Sequence, residues 1–455
     1  MTRSPSTRAL LLAVALIACR RDAKVDTAAL QEAAVQVPTG DAAGPVGSVL
    51  AARCHPTERA AQLDDGQALD DLDIGDGVAY ASGYAVGIVH RVPQGRQPAG
   101  RQAAVALWGP AAGDPRIVDL APSVGDAPPP RLASCRDRLL AAAFAPPRAA
   151  APDGGGPSMV RDLAVYMVDS PSPGQAVLHI AQKADESFAF DLACSGATGI
   201  AVWGETAAGR AGEGGRAPSP DTAARGVIRG ASFAVGKGGA VADDLSPPDS
   251  DAEMPRVVPS GAGFLVLWLA RRPDATKASD GSAAIEAIGE ARTFGWLEVV
   301  AVDGAGKVVG PVRRVTPSSG HVSAYDVLAR SEGSQPAILV VARDDGESID
   351  GAGGSLLRVR VQSAGGDPPV ALATDGLGRG APAFVDGPLP WLAWIGPHEE
   401  VRLLPLDGAG EGIGPASAED GLDEARPLMS SSPTRVLVAA PRDKAGQLRV
   451  FDCQR

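Results

Sequence analysis

Short apolar runs, broken every few residues by glycine, proline or an acidic turn, recur along most of the chain. From Ala383 one passage reads Ala-Phe-Val, then Trp-Leu-Ala-Trp-Ile, then Val-Arg-Leu-Leu-Pro-Leu, with Asp-Gly-Pro and Gly-Pro between the runs. Runs of this length bounded by Gly and Pro predict strands buried on both faces. The passage repeats in a fixed register: nine residues separate Cys135 from Phe144, Cys194 from Trp203, Pro259 from Trp268 and Val385 from Trp394. Ala81 to His90 and Ser430 to Ala439 fit the same frame, and Ala329 to Ala342 fits it with a few residues inserted. A third run alternates instead, as in Leu357-Arg358-Val359-Arg360-Val361, and predicts a strand with one wet face. Two such strands end in Asp303-Gly304-Ala305-Gly306 and Asp407-Gly408-Ala409-Gly410, where the glycine after Asp is expected to take the positive φ of a hairpin turn.

Four antiparallel strands per unit, buried inside and wetter outside, repeat at a spacing of roughly sixty residues. This pattern resembles a β-propeller. The resemblance implies an all-β fold, a single propeller of seven four-stranded blades, with six or eight blades as alternatives. Two or three β-sandwiches would also use short strands, but the constant register and the lack of a mid-chain linker favour the propeller. Neither a Trp-Asp repeat end nor a kelch Gly-Gly is present, so the resemblance is to an architecture and names no family.

Composition agrees with this reading. Gly (56) and Pro (39) are abundant and aromatics make up 4 %, which favours turns and short strands over long helices. The net charge of −12 leaves no basic surplus for a phosphate backbone, so no nucleic-acid partner is expected.

The first residues read as an export signal. Arg3 and Arg8 precede an apolar run from Ala9 to Ala18, which is too short to span a bilayer. It ends in Leu16-Ile17-Ala18-Cys19, which resembles the lipobox of bacterial lipoproteins. The resemblance implies a lipid on Cys19, cleavage before it and, because Arg20 rather than Asp follows, sorting to an outer membrane. Three segments result: a signal peptide (1–18), a lipidated cysteine with a flexible tether (19–47) and the propeller (48–455). The lipid is the membrane contact, and the location is the bacterial cell envelope.

Four further cysteines allow three disulfide pairings, and an even number favours pairing in an exported chain. Cys135 and Cys194 occupy the same position in adjacent units and are expected to bond. Cys453 ends the third strand of the last unit, whose missing fourth strand is expected from Glu58 to Leu63, bringing Cys54 beside it in a turn. A Cys54–Cys453 bond would close a loop of about 400 residues and contribute roughly 3–5 kcal/mol.

Candidate chemistry is sparse. His55, His90, His179, His321 and His398 have no metal-ligand spacing, and His90 fills the aromatic slot of its unit, where packing is its expected role. Asp303 and Asp407 lack the alternating carboxylates of a calcium loop, while Asp344-Asp345-Gly346-Glu347 with Asp350 is denser and reads as a solvated loop. Gly154-Gly155-Gly156 and Gly196-Ala197-Thr198-Gly199 lack the Lys-Ser/Thr of a phosphate loop, and Asp70-Asp71 reads as surface acidity. No catalytic residue, metal site or cofactor is expected. Links between second and third strands are long in four consecutive units: Pro146 to Pro157, Thr206 to Arg225, Arg271 to Thr293 and Asp344 to Gly354. They would crowd one face, where propellers bind things. The expected role is therefore a monomeric binding or scaffold module with an envelope protein partner on that face. The alternatives are a carbohydrate-acting propeller hydrolase or lyase, for which Asp191 and Asp326 are the nearest inner-strand carboxylates, or a structural surface protein without a ligand.

Overall fold

A computed structural model describes residues 53–454, apart from the links 61–69, 109–114, 147–160, 182–186, 208–224, 272–294, 347–353, 386–389, 420–425 and 442–446 and scattered single residues or pairs. All described residues belong to one compact unit, Val49–Arg455.

The chain is all-β. The first strand, β1 (Arg53–Ala60), is set apart from those that follow it. The first blade is β2 (Asp70–Tyr80), β3 (Gly83–Gln94), β4 (Gln97–Trp108) and β5 (Arg116–Pro122). The second is β6 (Arg131–Cys135), β7 (Arg138–Ala145), β8 (Asp162–Met167) and β9 (Ala176–Ala181). The third is β10 (Phe190–Ser195), β11 (Thr198–Ala207), β12 (Arg225–Ala234) and β13 (Val241–Asp244). The fourth is β14 (Asp251–Ser260), β15 (Gly263–Arg271), β16 (Gly295–Val302) and β17 (Arg313–Arg314). The fifth is β18 (Val322–Glu332), β19 (Gln335–Asp344) and β20 (Ser355–Gln362), with two short outer pieces, β21 (Gly365–Gly366) and β22 (Val370–Leu372). The sixth is β23 (Ala383–Val385), β24 (Trp391–Ile395), β25 (Val401–Pro405) and β26 (Ser417–Glu419).

The expectation of seven like, four-stranded blades is corrected on two points. Blades built wholly from consecutive strands number six, not seven, and the fifth has five strands because its outer strand is split in two. A further sheet is composite: β27 (Arg426–Ser432), β28 (Arg435–Pro441) and β29 (Gln447–Gln454) take β1, from the other end of the chain, as their fourth strand. Only its backbone is described. The pairing uses Arg53–Ala60 rather than Glu58 to Leu63, so Cys54 lies within a strand, not in a turn, as the Cα partner of Cys453. Innermost strands touch in turn, β2 with β6, β10, β14, β18, β23 and β27 in succession, and β27 returns to β2.

The core lies between blades. Phe144, Leu140 and Leu163 of the second blade pack with Trp203, Ala201 and Phe233 of the third. Ile200, Val202 and Ile228 of the third meet Val266, Trp268 and Val300 of the fourth. These side chains are almost wholly buried, the larger ones each contributing about 1.5–3 kcal/mol relative to exposure. That is why the second-strand runs are apolar on both faces: each face meets a different neighbour.

The two Asp-Gly-Ala-Gly turns are built alike, though not as expected. Positive φ falls on the second glycine, Gly306 (86°) and Gly410 (80°), and not on Gly304 or Gly408. Asp303 Oδ1 accepts the N–H groups of Ala305 and Lys307 at 2.9 Å each. Asp407 Oδ1 does the same for Ala409 (2.9 Å) and Glu411 (2.8 Å). Each turn leans on the third strand of the preceding blade. Ser232 donates to Gly304 O at 2.8 Å, and Arg358 donates to Ala409 O at 3.3 Å and pairs with Glu411. The aspartates thus shape a docking turn.

Candidate functional site

An innermost strand has one hydrogen-bonding edge with no partner strand, and its N–H groups need acceptors from elsewhere. Two are supplied by the preceding blade. Asp191 Oδ2 accepts from Val257 N at 2.8 Å, and Asp326 Oδ2 accepts from Phe384 N at 2.7 Å.

These aspartates belong to a larger pattern. Asp76, Arg131, Asp191 and Arg256 each stand four residues before the residue that closes their blade's first hairpin: Tyr80, Cys135, Ser195 and Ser260. In the fifth blade, whose first hairpin is longer, Asp326 stands six residues before Glu332. Five successive innermost strands thus present Asp, Arg, Asp, Arg, Asp. Asp76 pairs with Arg131, and Arg256 faces Asp76 Oδ2 and Asp326 Oδ1 at 3.8 Å each. Irregular backbone accompanies both ends of the Asp76–Arg256 contact. β2 shifts register between Ile74 and Gly77, and β14 between Glu253 and Arg256. Within the β14 bulge Met254 has φ 53°, an unfavourable conformation for a residue with a side chain.

The charges shift one another. Burial alone would lower the Arg256 value, but Asp191 and Asp326 outweigh it and hold the guanidinium above its ordinary range. Burial pushes the Asp326 carboxyl up, and neither Arg256 nor the Phe384 N–H cancels this. Tyr325 is pushed well above the usual phenol value, chiefly by burial, and its hydroxyl bonds to the carbonyls of Met254 (2.6 Å) and Leu267 (2.9 Å). With three carboxylates and two guanidinium groups, the cluster carries a single net negative charge. Asp191 and Asp326 are the two carboxylates singled out from the sequence. Asp76, Arg131 and Arg256 were missed, although their common offset before the hairpin turn is visible in the repeat.

Cys135 and Cys194 are bonded across the second and third blades, with Cα atoms 5.4 Å apart, as their shared register predicts. The side chains of Cys54 and Cys453, and residue Cys19, lie outside the description. His90 is fully buried with Nε2 3.0 Å from Asp119 Oδ1, and His179 Nδ1 lies 3.6 Å from Asp162. His321 makes an isolated bridge to Gly295 and His398 sits in a turn, their backbone N–H groups held by Asp344 (3.3 Å) and Glu400 (2.8 Å). Asp344 also accepts from Gly346 N and Asp345 pairs with Arg343, while Glu347 and Asp350 lie outside the described residues. Gly196 takes a positive φ in the β10–β11 hairpin, the turn role expected of it; Gly154–Gly156, the side chains of Asp70 and Asp71, and most of the four long links are not described. Among the described residues no group of His, Cys, Asp and Glu is arranged to hold a metal ion.

Three buried glutamates went unnoticed in the sequence. Glu298 accepts the indole N–H groups of Trp268 (3.2 Å) and Trp296 (2.9 Å). Glu205 accepts from Trp203 at 2.8 Å and pairs with Arg229. Burial would raise the Glu400 carboxyl, but hydrogen bonds from its own backbone N–H, from Arg402 and from His398 N hold it below its ordinary value. Glu205 and Glu298 thus hold tryptophans of the second strands β11 and β15, and Glu400 lies in the connection between β24 and β25.

No protein-family model matches the chain, and no curated protein is similar to it. Similar solved structures include the α-L-arabinofuranosidase of Fusarium graminearum in complex with arabinobiose, at TM-score 0.44 and 11 % identity, covering 80 % of this chain and 96 % of that one. The β-propeller domain of the Trilobed protease from Pyrococcus furiosus has a TM-score of 0.45 and 10 % identity, covering 84 % and 95 %. The α-L-arabinanase of Penicillium chrysogenum has a TM-score of 0.40 and 14 % identity, covering 80 % and 99 %. The order of the sheets, and not these likenesses, makes this chain an all-β propeller, in which five successive inner strands carry alternating charge.

Proposed function

We propose that this chain is a lipid-anchored propeller of the bacterial envelope that works as a binding or scaffold module, with a protein partner on the face bearing the long links. The observation that carries the reading is the commitment of the inner-strand carboxylates. Asp191 and Asp326 each hold a neighbouring blade's N–H, and Asp76 is paired with Arg131. A glycosidase needs two carboxylates free to exchange protons or attack a sugar carbon. Here the candidates stitch blades together, which supports a rigid platform over a hydrolase. The lipobox-like Leu16-Ile17-Ala18-Cys19 supports the anchor.

The test is affinity capture from detergent-solubilised envelope with the full chain and with a variant in which the four long links are shortened. A defined protein captured by the first and lost from the second supports the scaffold. Hydrolysis of neutral glycosides by the full chain, abolished in a folded Asp326→Asn variant, would replace it with the enzyme reading.

A further inference from the structure

We propose that the charged ring at the inner strands is a binding site for a small, uncharged polyhydroxylated ligand of the sugar or cyclitol class. The proposal concerns the inner ring and is independent of the protein partner on the link face.

The geometry around Arg256 carries it. Charge-assisted hydrogen bonds between guanidinium and carboxylate form at about 2.7–2.9 Å. Both of its ion-pair neighbours, Asp76 and Asp326, stand 3.8 Å away, held there by bonds of their own to Arg131 and to Phe384 N. The Arg256 side chain keeps 19 % of its surface, Asp326 21 % and Asp76 45 %, so the facing groups are partly exposed. A hydroxyl is the group that suits such a gap, because it accepts from the guanidinium and donates to the carboxylate at once. Asp76 and Asp326 offer that opportunity on two sides of Arg256, and a molecule with several hydroxyls uses both.

Charge selects the class further. Three carboxylates against two guanidinium groups repel an anion such as a phosphate ester or uronate, and the carboxylates, already engaged by Arg131, Arg256 and backbone N–H groups, leave a polyamine little to pair with. A neutral polyol meets neither penalty. The bonds already made by Asp191 and Asp326 leave a site that holds such a ligand without cleaving it.

Saturation-transfer NMR on the purified full chain, with myo-inositol and cellobiose as neutral probes and glucuronate and glucosamine as charged ones, tests the proposal. Saturation of a neutral probe is expected, with weaker or no signal from either charged one. Arg256→Lys keeps the charge but loses the planar fork, and is expected to weaken binding about tenfold or more. Asp326→Asn keeps an acceptor for Phe384 N–H and serves as the second variant, with the same loss expected. Circular dichroism checks that both are folded. No signal from either neutral probe, a stronger signal from glucuronate, or unchanged binding in both folded variants would overturn the site. Retention of polyol binding by the link-shortened variant separates this site from the link face, whatever becomes of the scaffold reading.

Discussion

Asp326 on β18 holds the backbone N–H of Phe384 on β23 through a 2.7 Å hydrogen bond, so a side chain of one blade completes the unpaired inner edge of the next. The same carboxylate faces Arg256 of the blade before. One residue therefore spans three blades, and its substitution reads out the seam.

Asp326→Ala leaves the Phe384 N–H without its acceptor and is expected to cost about 1–3 kcal/mol in urea unfolding. Asp326→Asn keeps an oxygen there. Burial raises the Asp326 value in the folded state, so the ionised group costs stability at neutral pH. That cost disappears as pH falls through the raised value towards the unfolded one near ~3.9. Wild type is accordingly expected to gain on Asp326→Asn during acidification through this window. Parallel pH dependences of the two unfolding midpoints would contradict the burial argument.

The Cys135–Cys194 bond bridges a sequence separation of 59 and ties the second blade to the third. Replacing both cysteines by alanine is expected to cost about 4 kcal/mol on chain-entropy grounds. Peptide mapping without reduction is expected to recover this pair, and to recover Cys54 joined to Cys453, their backbones being direct cross-strand partners. A Cys54–Cys135 peptide would refute the pairing.

Arg136 (φ 57°) occupies the hairpin position that Gly196 (φ 62°) and Gly261 (φ 60°) hold in the next two blades. A side chain in this region costs about 1–2 kcal/mol, partly offset by the greater freedom of glycine when unfolded. Arg136→Gly is expected to be neutral to stabilising by about 1 kcal/mol, and Gly196→Ala destabilising by about as much, in thermal or urea unfolding.

Asp407→Ala removes one acceptor from two N–H groups in a turn that reaches the fifth blade. A loss of about 1–2 kcal/mol is expected, with Asp407→Asn milder because one oxygen remains. Equal losses in the two variants would show that charge, not acceptance, matters there.

Cys19→Ser is expected to abolish incorporation of labelled palmitate and to release the chain from the membrane fraction. Unchanged labelling would remove the anchor from the proposal.

Much of the fold was legible because burial leaves a mark on residue type. Phe144, Trp203, Trp268 and Trp394 recur at one offset, and all four are buried against a neighbouring blade. Cys135 and Cys194 could be paired because repeat register converts sequence distance into spatial adjacency. The closing strand was misplaced by several residues, since Arg53-Cys54-His55-Pro56-Thr57-Glu58 has no apolar alternation to mark it. The charged ring was half seen. Arg131 and Arg256 look like any surface arginine, and their meaning arises only when five strands distant in sequence converge. The split outer strand of the fifth blade went unread because Gly365-Gly366 carries no side-chain pattern.

The composite sheet has a temporal consequence. Arg53 pairs with Gln454 and Ala60 with Gln447, so the first described strand waits for the last. Six blades can condense as the chain emerges, each from neighbouring segments, but the closing sheet cannot form until synthesis is nearly over. Contacts of such separation form slowly, because the long intervening chain must be ordered before they reward it. Until then β1 and the inner edge of the first blade stand exposed, which makes the interval before closure the period of greatest risk from aggregation and proteolysis.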